Sequence, residues 1–139
     1  QDIQGLMPSP KVARWSVRRA DEEAELPGPP DPGIIDVVRR TMTDHVGVVR
    51  TGAGLATALA TFDELEARTR DVATLNSLIA ARVVAAAAWA RRESRGGHYR
   101  SDFPATDPAR AKRTYLTLTE ARRLSADARA AATPETIPA

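Results

Sequence analysis

Between Ile34 and Ala90, apolar side chains recur at every third or fourth position in three consecutive runs separated by short polar breaks. That spacing puts one apolar side chain per turn on a common face and predicts three amphipathic helices. The first covers 34–46: Asp31 is placed to cap it, Pro32 suits its first position, and Ile34 or Ile35, Val38, Met42 and Val46 form its stripe. Gly47 interrupts the pattern, and the stretch from Val48 to Gly52 reads as a break or kink. The second helix covers 53–68, with Leu55, Leu59, Phe62 and Leu65 or Glu66 as its stripe. Asp71 caps the third, over 71–95, whose stripe of Val72, Leu75, Ile79, Val83, Ala86 and Ala90 runs for about six turns at 3.6 residues each. Arg91, Arg92 and Arg95 fall in its last turn, where cations suit the negative end of the helix dipole. Gly96 or Gly97 then takes the left-handed conformation that ends a helix.

The flanks carry weaker patterns. Prolines concentrate between Pro8 and Pro32 beside the charge run Asp21–Glu25, so residues 1–32 read as an irregular linker. Within it Val12, Trp15 and Val17 suit a short extended segment, with Trp15 pinned against the helices. After Pro104, Asp107–Pro108 is another cap-and-start pair, and a peripheral amphipathic helix follows over 119–131. The expectation is an all-α fold: a three-helix antiparallel, spectrin-repeat-like bundle with its charged turn over 33–104, an irregular N-terminal linker over 1–32 and a peripheral C-terminal extension over 105–139. A bundle of this size buries little surface, so either the flanks add to it or it leans on a partner, self-association through exposed apolar surface included.

Composition narrows the chemistry. With 139 residues the chain forms one ordinary domain. It lacks cysteine, which excludes disulfides, thiolate zinc sites and a cysteine nucleophile and is compatible with a reducing cytosol. A net charge of +2 is too small an excess to indicate nucleic acid, although the cations are nearly all arginine. The longest apolar stretch, Val83–Ala90, is too short to span a bilayer, so no membrane partner is expected. Gln1 starts without Met or a basic-then-apolar leader, the pattern of a piece of a longer polypeptide.

The chemistry-bearing side chains gather in Arg91–Pro104, RRESRGGHYRSDFP. Four arginines with Tyr99 raise RNA binding, but Glu93 and Asp102 interleave with them, and a self-neutralising charged turn is the preferred reading. Ser94, His98 and Asp102 invite a catalytic triad, yet triads draw on distant segments and no nucleophile elbow is present. His45 and His98 have no ligand-spaced partner, so no metal site is expected. Gly52–Ala53–Gly54 lacks the preceding strand and third glycine of a dinucleotide-binding turn.

Three segments, in order, resemble the flavoprotein family that includes L-aspartate oxidase, succinate dehydrogenase and fumarate reductase: QDIQG at Gln1–Gly5, MTDHVGVVRT at Met42–Thr51, and ESRGGHYRSDFP at Glu93–Pro104. The last matches ESRG-x-H-x-R-x-D-[FY]-P at every fixed position. The short tail after Pro104 and the HYR triplet favour the L-aspartate oxidase branch over the respiratory flavoproteins. The resemblance implies a carboxyl-terminal helical domain of a cytoplasmic enzyme that uses FAD to oxidise L-aspartate to iminoaspartate in NAD synthesis. Its flavin and substrate sites would lie upstream, so no catalytic or cofactor-binding residue carries over and this chain alone holds no cofactor. What carries over is an interdomain turn, Arg95, Gly96, His98, Tyr99, Arg100 and Asp102, facing the flavin-binding and capping domains of the same polypeptide. The other readings are the same domain of a fumarate reductase or succinate dehydrogenase flavoprotein, or a stand-alone helical interaction or nucleic-acid-binding module.

Overall fold

The computed structural model describes residues 28–132. The extended segment expected around Trp15 and the end of the C-terminal extension lie outside the described residues. Four helices form: α1 (Pro32–Val46), α2 (Gly52–Arg68), α3 (Val72–Ala90) and α4 (Leu118–Ala132). Two short parallel strands, β1 (Val49–Arg50) and β2 (Tyr99–Arg100), and a 3₁₀ turn at Pro108–Arg110 complete the fold. The caps read from the sequence are in place. Asp31 accepts from the amides of Gly33 and Ile34, Asp71 from that of Thr74 and Asp107 from that of Ala109. Thr51 caps α2, and Thr117 with Glu120 closes the start of α4 reciprocally, each side chain bonding the other residue's amide.

The ends of the helices show how they run. Asp31, before α1, donates its amide to Thr74 at the start of α3. Gly52, at the start of α2, meets Asp102 just beyond the end of α3. The helix α2 is therefore antiparallel to both α1 and α3, as short connections demand.

Three features of the sequence reading are corrected. First, α4 is not peripheral. It packs against both α2 and α3, with Ala121, Ser125 and Ala128 fully buried, so the bundle has four helices rather than three. A small-residue face lets α4 approach closely, and that face is too weakly apolar to stand out in the sequence. Second, α3 stops at Ala90 rather than Arg95, because the chain turns extended at Arg91 and its arginines leave the helix for partners elsewhere. Third, the buried face of α3 is Thr74, Leu78, Ala81, Arg82, Ala85, Ala86 and Ala88. Of the expected stripe only Ala86 is buried, and Val72 is 53% exposed. The helix is apolar nearly all round, so periodicity did not single out the face that turns inward. By length and composition α3 could also cross a membrane, which the short apolar stretch did not suggest. Here it packs against three other helices instead.

The core is built from Leu55, Leu59, Phe62 and Leu78 with a bed of alanines. One charge lies within it. Arg82 of α3, 3% exposed, sits between Asp63 and Glu66 of α2 and pairs with both. The same carboxylates receive α4: Arg122 reaches Glu66 at 2.8 Å, Ser125 donates to Asp63 at 3.3 Å, and Arg129 pairs with Asp63 at 3.4 Å. Burial works against ionising Glu66, but hydrogen bonds from Arg122 and Arg82 and their charges outweigh it and hold its carboxyl below the usual value.

Arg82→Ala leaves two carboxylates facing the helix interface with no buried cation, only the Ser125 hydroxyl and the half-exposed Arg122 and Arg129. Breaking a buried pair from one side costs about 3–5 kcal/mol, and the surviving partners put this case near about 3 kcal/mol. Arg122→Ala, which removes an exposed partner, should cost less than about 1 kcal/mol. Urea unfolding of the two variants beside wild type measures the contrast; equal losses would overturn the central place given to Arg82.

Candidate functional site

The parallel strand pair aligns Val49 with Tyr99 and Arg50 with Arg100. Each strand thereby delivers an arginine to the carboxyl end of a helix, where backbone carbonyls lack partners. Arg50 donates from Nε to the carbonyls of Val46 and Gly47, closing α1. Arg100, 2% exposed, donates from Nη1 to the carbonyls of Ala88 and Trp89 at 3.1 and 3.0 Å, closing α3. Its other edge makes a two-pronged pair with Asp102, at 2.8 and 2.7 Å. Asp102 Oδ2 also accepts the amide of Gly52 at 3.0 Å, so the carboxylate lies on the positive end of α2. One ion pair thus serves opposite ends of two helices. The Phe103 ring lies beneath the guanidinium, 5.1 Å from its centroid.

The segment leading into β2 is tied as tightly. The Glu93 side chain is shielded from solvent and takes Arg91 on one oxygen. Its other oxygen takes Arg95 at 3.1 Å and the Asp107 amide at 3.0 Å. That amide first, and then the two guanidiniums, hold its carboxyl below the usual value. Ser94 Oγ accepts the Arg100 amide at 2.8 Å and donates to the Phe103 carbonyl at 2.8 Å, which folds 94–103 onto itself. Arg95 and His98 exchange backbone hydrogen bonds around Gly96–Gly97, and Gly96 adopts φ +57°, where a side chain would be strained. The glycine pair therefore makes a hairpin tip rather than a helix end, and Arg95 sits on that hairpin rather than projecting from α3.

His98 is half-buried between two partners. Its Nδ1 faces an Arg50 Nη1, which can only donate, so the ring is neutral with its proton on Nε2 and donates it to the Arg91 carbonyl at 3.2 Å. Burial lowers its pKa, and the charges of Arg50, Arg100 and Arg91 add to the effect against the opposing bond to Arg91. The Arg50 guanidinium is likewise pushed down from its ordinary value, by burial and then by the Arg100 charge.

Among the residues expected to form the turn, Arg100 and Asp102 pair with each other and Arg95 pairs with Glu93. His98 is joined to Arg50, and Tyr99 is 41% exposed on β2. Ser94, His98 and Asp102 each bind different partners and make no triad. Arg50, Gly52 and Glu93 belong to the same corner but were not picked out as its members. For Arg50 the signal was its place in VGVVR, 48 residues from His98, and only the fold closes that gap. Among the described residues no three His, Asp or Glu side chains gather as metal ligands. At each helix start one or two amides are bonded, by Asp31, Thr51, Asp102, Asp71 and Thr117.

Residues 36–78 and 73–133 match the family described as fumarate reductase flavoprotein C-term. The chain belongs to that family. It is 49% identical over 90 residues to an L-aspartate oxidase of Rhodospirillum rubrum, covering 63% of this chain and 32% of the relative. It is 44% identical over 93 residues to an L-aspartate oxidase of Caulobacter vibrioides, covering 67% of this chain and 17% of the relative. An uncharacterized FAD-dependent oxidoreductase of Methanocaldococcus jannaschii is 35% identical over 85 residues, covering 52% of this chain and 16% of the relative. The chain thus spans about a third or less of the length of these relatives. No solved structure matches it. The arginine corner of this flavoprotein C-terminal domain, from Arg50 to Asp102, lies within the matched residues.

Two predictions follow from the corner. A Cβ on Gly52 would lie 2.9 Å from Asp102 Oδ2 and 3.0 Å from Arg100 Nη2, whereas one on Gly97 meets nothing. Gly52→Ala should destabilise by about 1–3 kcal/mol, as overpacking does, despite alanine's better helix propensity. Gly97→Ala should be nearly neutral; thermal unfolding that ranks the two the other way would refute the close approach. The second concerns pH. A His98 pKa lowered on folding means the unfolded chain binds more protons just below pH 6.5. Its contribution is therefore complete above that value and lost as pH falls through the folded pKa. Asp102, lowered to about 2 chiefly by its hydrogen bond with Arg100, keeps its contribution above 3.8 and loses it as pH falls through about 2. Between about pH 7 and about pH 5 the wild-type midpoint should drop more than that of His98→Gln, since histidine titrates in this window and glutamine does not.

Proposed function

We propose that this chain is the carboxyl-terminal helical domain of a cytoplasmic, FAD-dependent L-aspartate oxidase, oxidising L-aspartate to iminoaspartate in NAD synthesis. The names of relatives that it matches support this reading, and those relatives are much longer than the chain. The domain supplies no catalytic group. Its side chains in the corner are committed to each other and to backbone, leaving no nucleophile or base with a free partner for substrate. Its task is mechanical: to pack against the flavin-binding domain of the same polypeptide.

One observation carries the docking role. Val48 and Val49 are 67% and 66% exposed and meet Tyr99, Val49 as its strand partner and Val48 through the carbonyl that accepts the Tyr99 amide, one residue before the Arg50–Arg100 pair. An apolar patch on a rigid, internally neutralised support suits a permanent domain contact. The corresponding domain of a fumarate reductase flavoprotein is the second reading, favoured by the description of the matching family.

The full-length protein should convert L-aspartate with flavin bound, whereas the 139-residue chain alone should show no saturable FAD binding in a fluorescence titration. Micromolar binding by the chain alone would sink the non-catalytic assignment. In the full-length protein Val49→Glu should lower flavin retention through gel filtration, while the same change in the isolated chain leaves its unfolding free energy within about 0.5 kcal/mol of wild type, as for a surface position. Full flavin retention in Val49→Glu would remove the patch from the interface. Turnover of succinate or fumarate in place of aspartate would favour the second reading.

A further inference from the structure

Charge is unevenly spread along the chain. Residues 91–113 hold seven basic and three acidic side chains, a net charge of +4, against +2 for the whole chain. The fold gathers part of this excess around one hollow of 460 Å³, lined by Arg91, Arg95, His98, Ala111, Lys112 and Arg113 and by no carboxylate. Its two walls are tied together. Arg91 pairs with Glu93 and reaches across to the carbonyls of Arg110 at 3.3 Å and Lys112 at 3.1 Å, which fastens the strap 110–113 opposite the hairpin. Arg95 meets the same Glu93 through Nε and Nη2, and Nη2 also donates to the Asp107 carbonyl at 3.1 Å.

The cations outnumber the carboxylates beside them. Glu93 brings one charge for two guanidiniums, and its side chain is shielded from solvent. Among the described residues, Arg95 Nη1 meets no acceptor, and the exposed Lys112 and Arg113 pair with no carboxylate. Behind His98 stands Arg50, whose bonds go to the carbonyls of Val46 and Gly47 and to the His98 ring rather than to a carboxylate. Like charges fixed in place by other bonds repel, and a multivalent anion between them relieves that repulsion. Guanidinium forks match the oxygens of a phosphate, and a lysine adds a point charge. A terminal phosphate carries about −1.5 to −2 at pH 7 with three strong acceptor oxygens, more than a bridging phosphate presents. The hollow also falls within the about 300–1,000 Å³ of small-molecule sites. No Phe, Tyr or Trp lines it, so it lacks the stacking platform of a single-stranded nucleic-acid site.

We propose that this hollow binds a terminal phosphate group, that of a small ester or free phosphate, with Arg95, Lys112 and Arg113 as its contacts and Arg91 holding the strap in place. This does not depend on the flavoprotein reading. Calorimetric titration of the 139-residue chain at low salt, with glycerol 3-phosphate and separately with inorganic phosphate, should show saturable one-to-one binding. Tighter binding of the ester assigns the site to an organic phosphate, and tighter binding of the inorganic ion assigns it to free phosphate. Lys112→Gln with Arg113→Gln should weaken the tighter of the two about tenfold, as expected for lost charge-assisted contacts, with the thermal midpoint unchanged because both side chains are exposed. Arg39→Gln with Arg40→Gln, exposed on α1, removes the same charge elsewhere and should leave the affinity within about twofold, since distant surface charges are screened. FAD, whose phosphates are bridging, should not displace the ligand. The absence of saturable binding would overturn the proposal. So would equal weakening by the two double variants, which marks attraction to net charge alone, or displacement by FAD.

Discussion

The Arg100–Asp102 pair is the interaction on which the rest of this domain depends. Helices end with unpaired carbonyls and begin with unpaired amides, and burying either without a partner is costly. Here a single planar guanidinium takes the last carbonyls of α3 on one edge and a carboxylate on the other, and that carboxylate takes the first amide of α2. The geometry needs a flat, multi-donor cation, which lysine cannot supply. It also needs a residue without Cβ where the pair crosses the helix, and Gly52 is that residue. The loop 91–104 is then held by its own charges, Glu93 gathering Arg91 and Arg95 while Ser94 pins the backbone.

A second charged cluster has a different role. Arg82, Asp63 and Glu66 lie where α2, α3 and α4 meet, and Arg122 and Arg129 bring α4 onto the same carboxylates. Alanine-lined helices can slide against each other with little change in buried area, and an ion pair at a defined height removes that freedom. Buried pairs are weak sources of stability, and the Nε of Arg82 finds no acceptor among the described residues. Its value is in selecting one register of three helices rather than in deepening the well.

Two apolar surfaces stay exposed among the described residues, Val48 and Val49 at the strand pair and Val72 and Val84 on α3. On α3, Ala81, Ala85, Ala86 and Ala88 turn inward, where close approach favours small side chains, while Val72 and Val84 stay outward. The relatives that this chain matches are much longer than it is.

The sequence by itself determined that the helices exist, where their aspartate caps fall and which family the chain resembles. Asp31 and Asp71 cap where they were read to, and the ESRGGHYRSDFP run carried the likeness on which recognition rested. These are local properties, set by residues within one or two turns of each other. Tertiary structure alone decided which face of α3 turns inward, because a helix apolar on all sides has no preferred face until its neighbours are placed. It alone docked α4, whose partners Asp63 and Glu66 lie about sixty residues away in sequence. It alone made Gly96–Gly97 a hairpin tip, since α3 ends where Arg100 meets its last carbonyls and not where the next glycine occurs. Arg50 joined the corner for the same reason: a hydrogen bond between positions 50 and 98 has no local signature, and only the pairing of two short parallel strands brings them together.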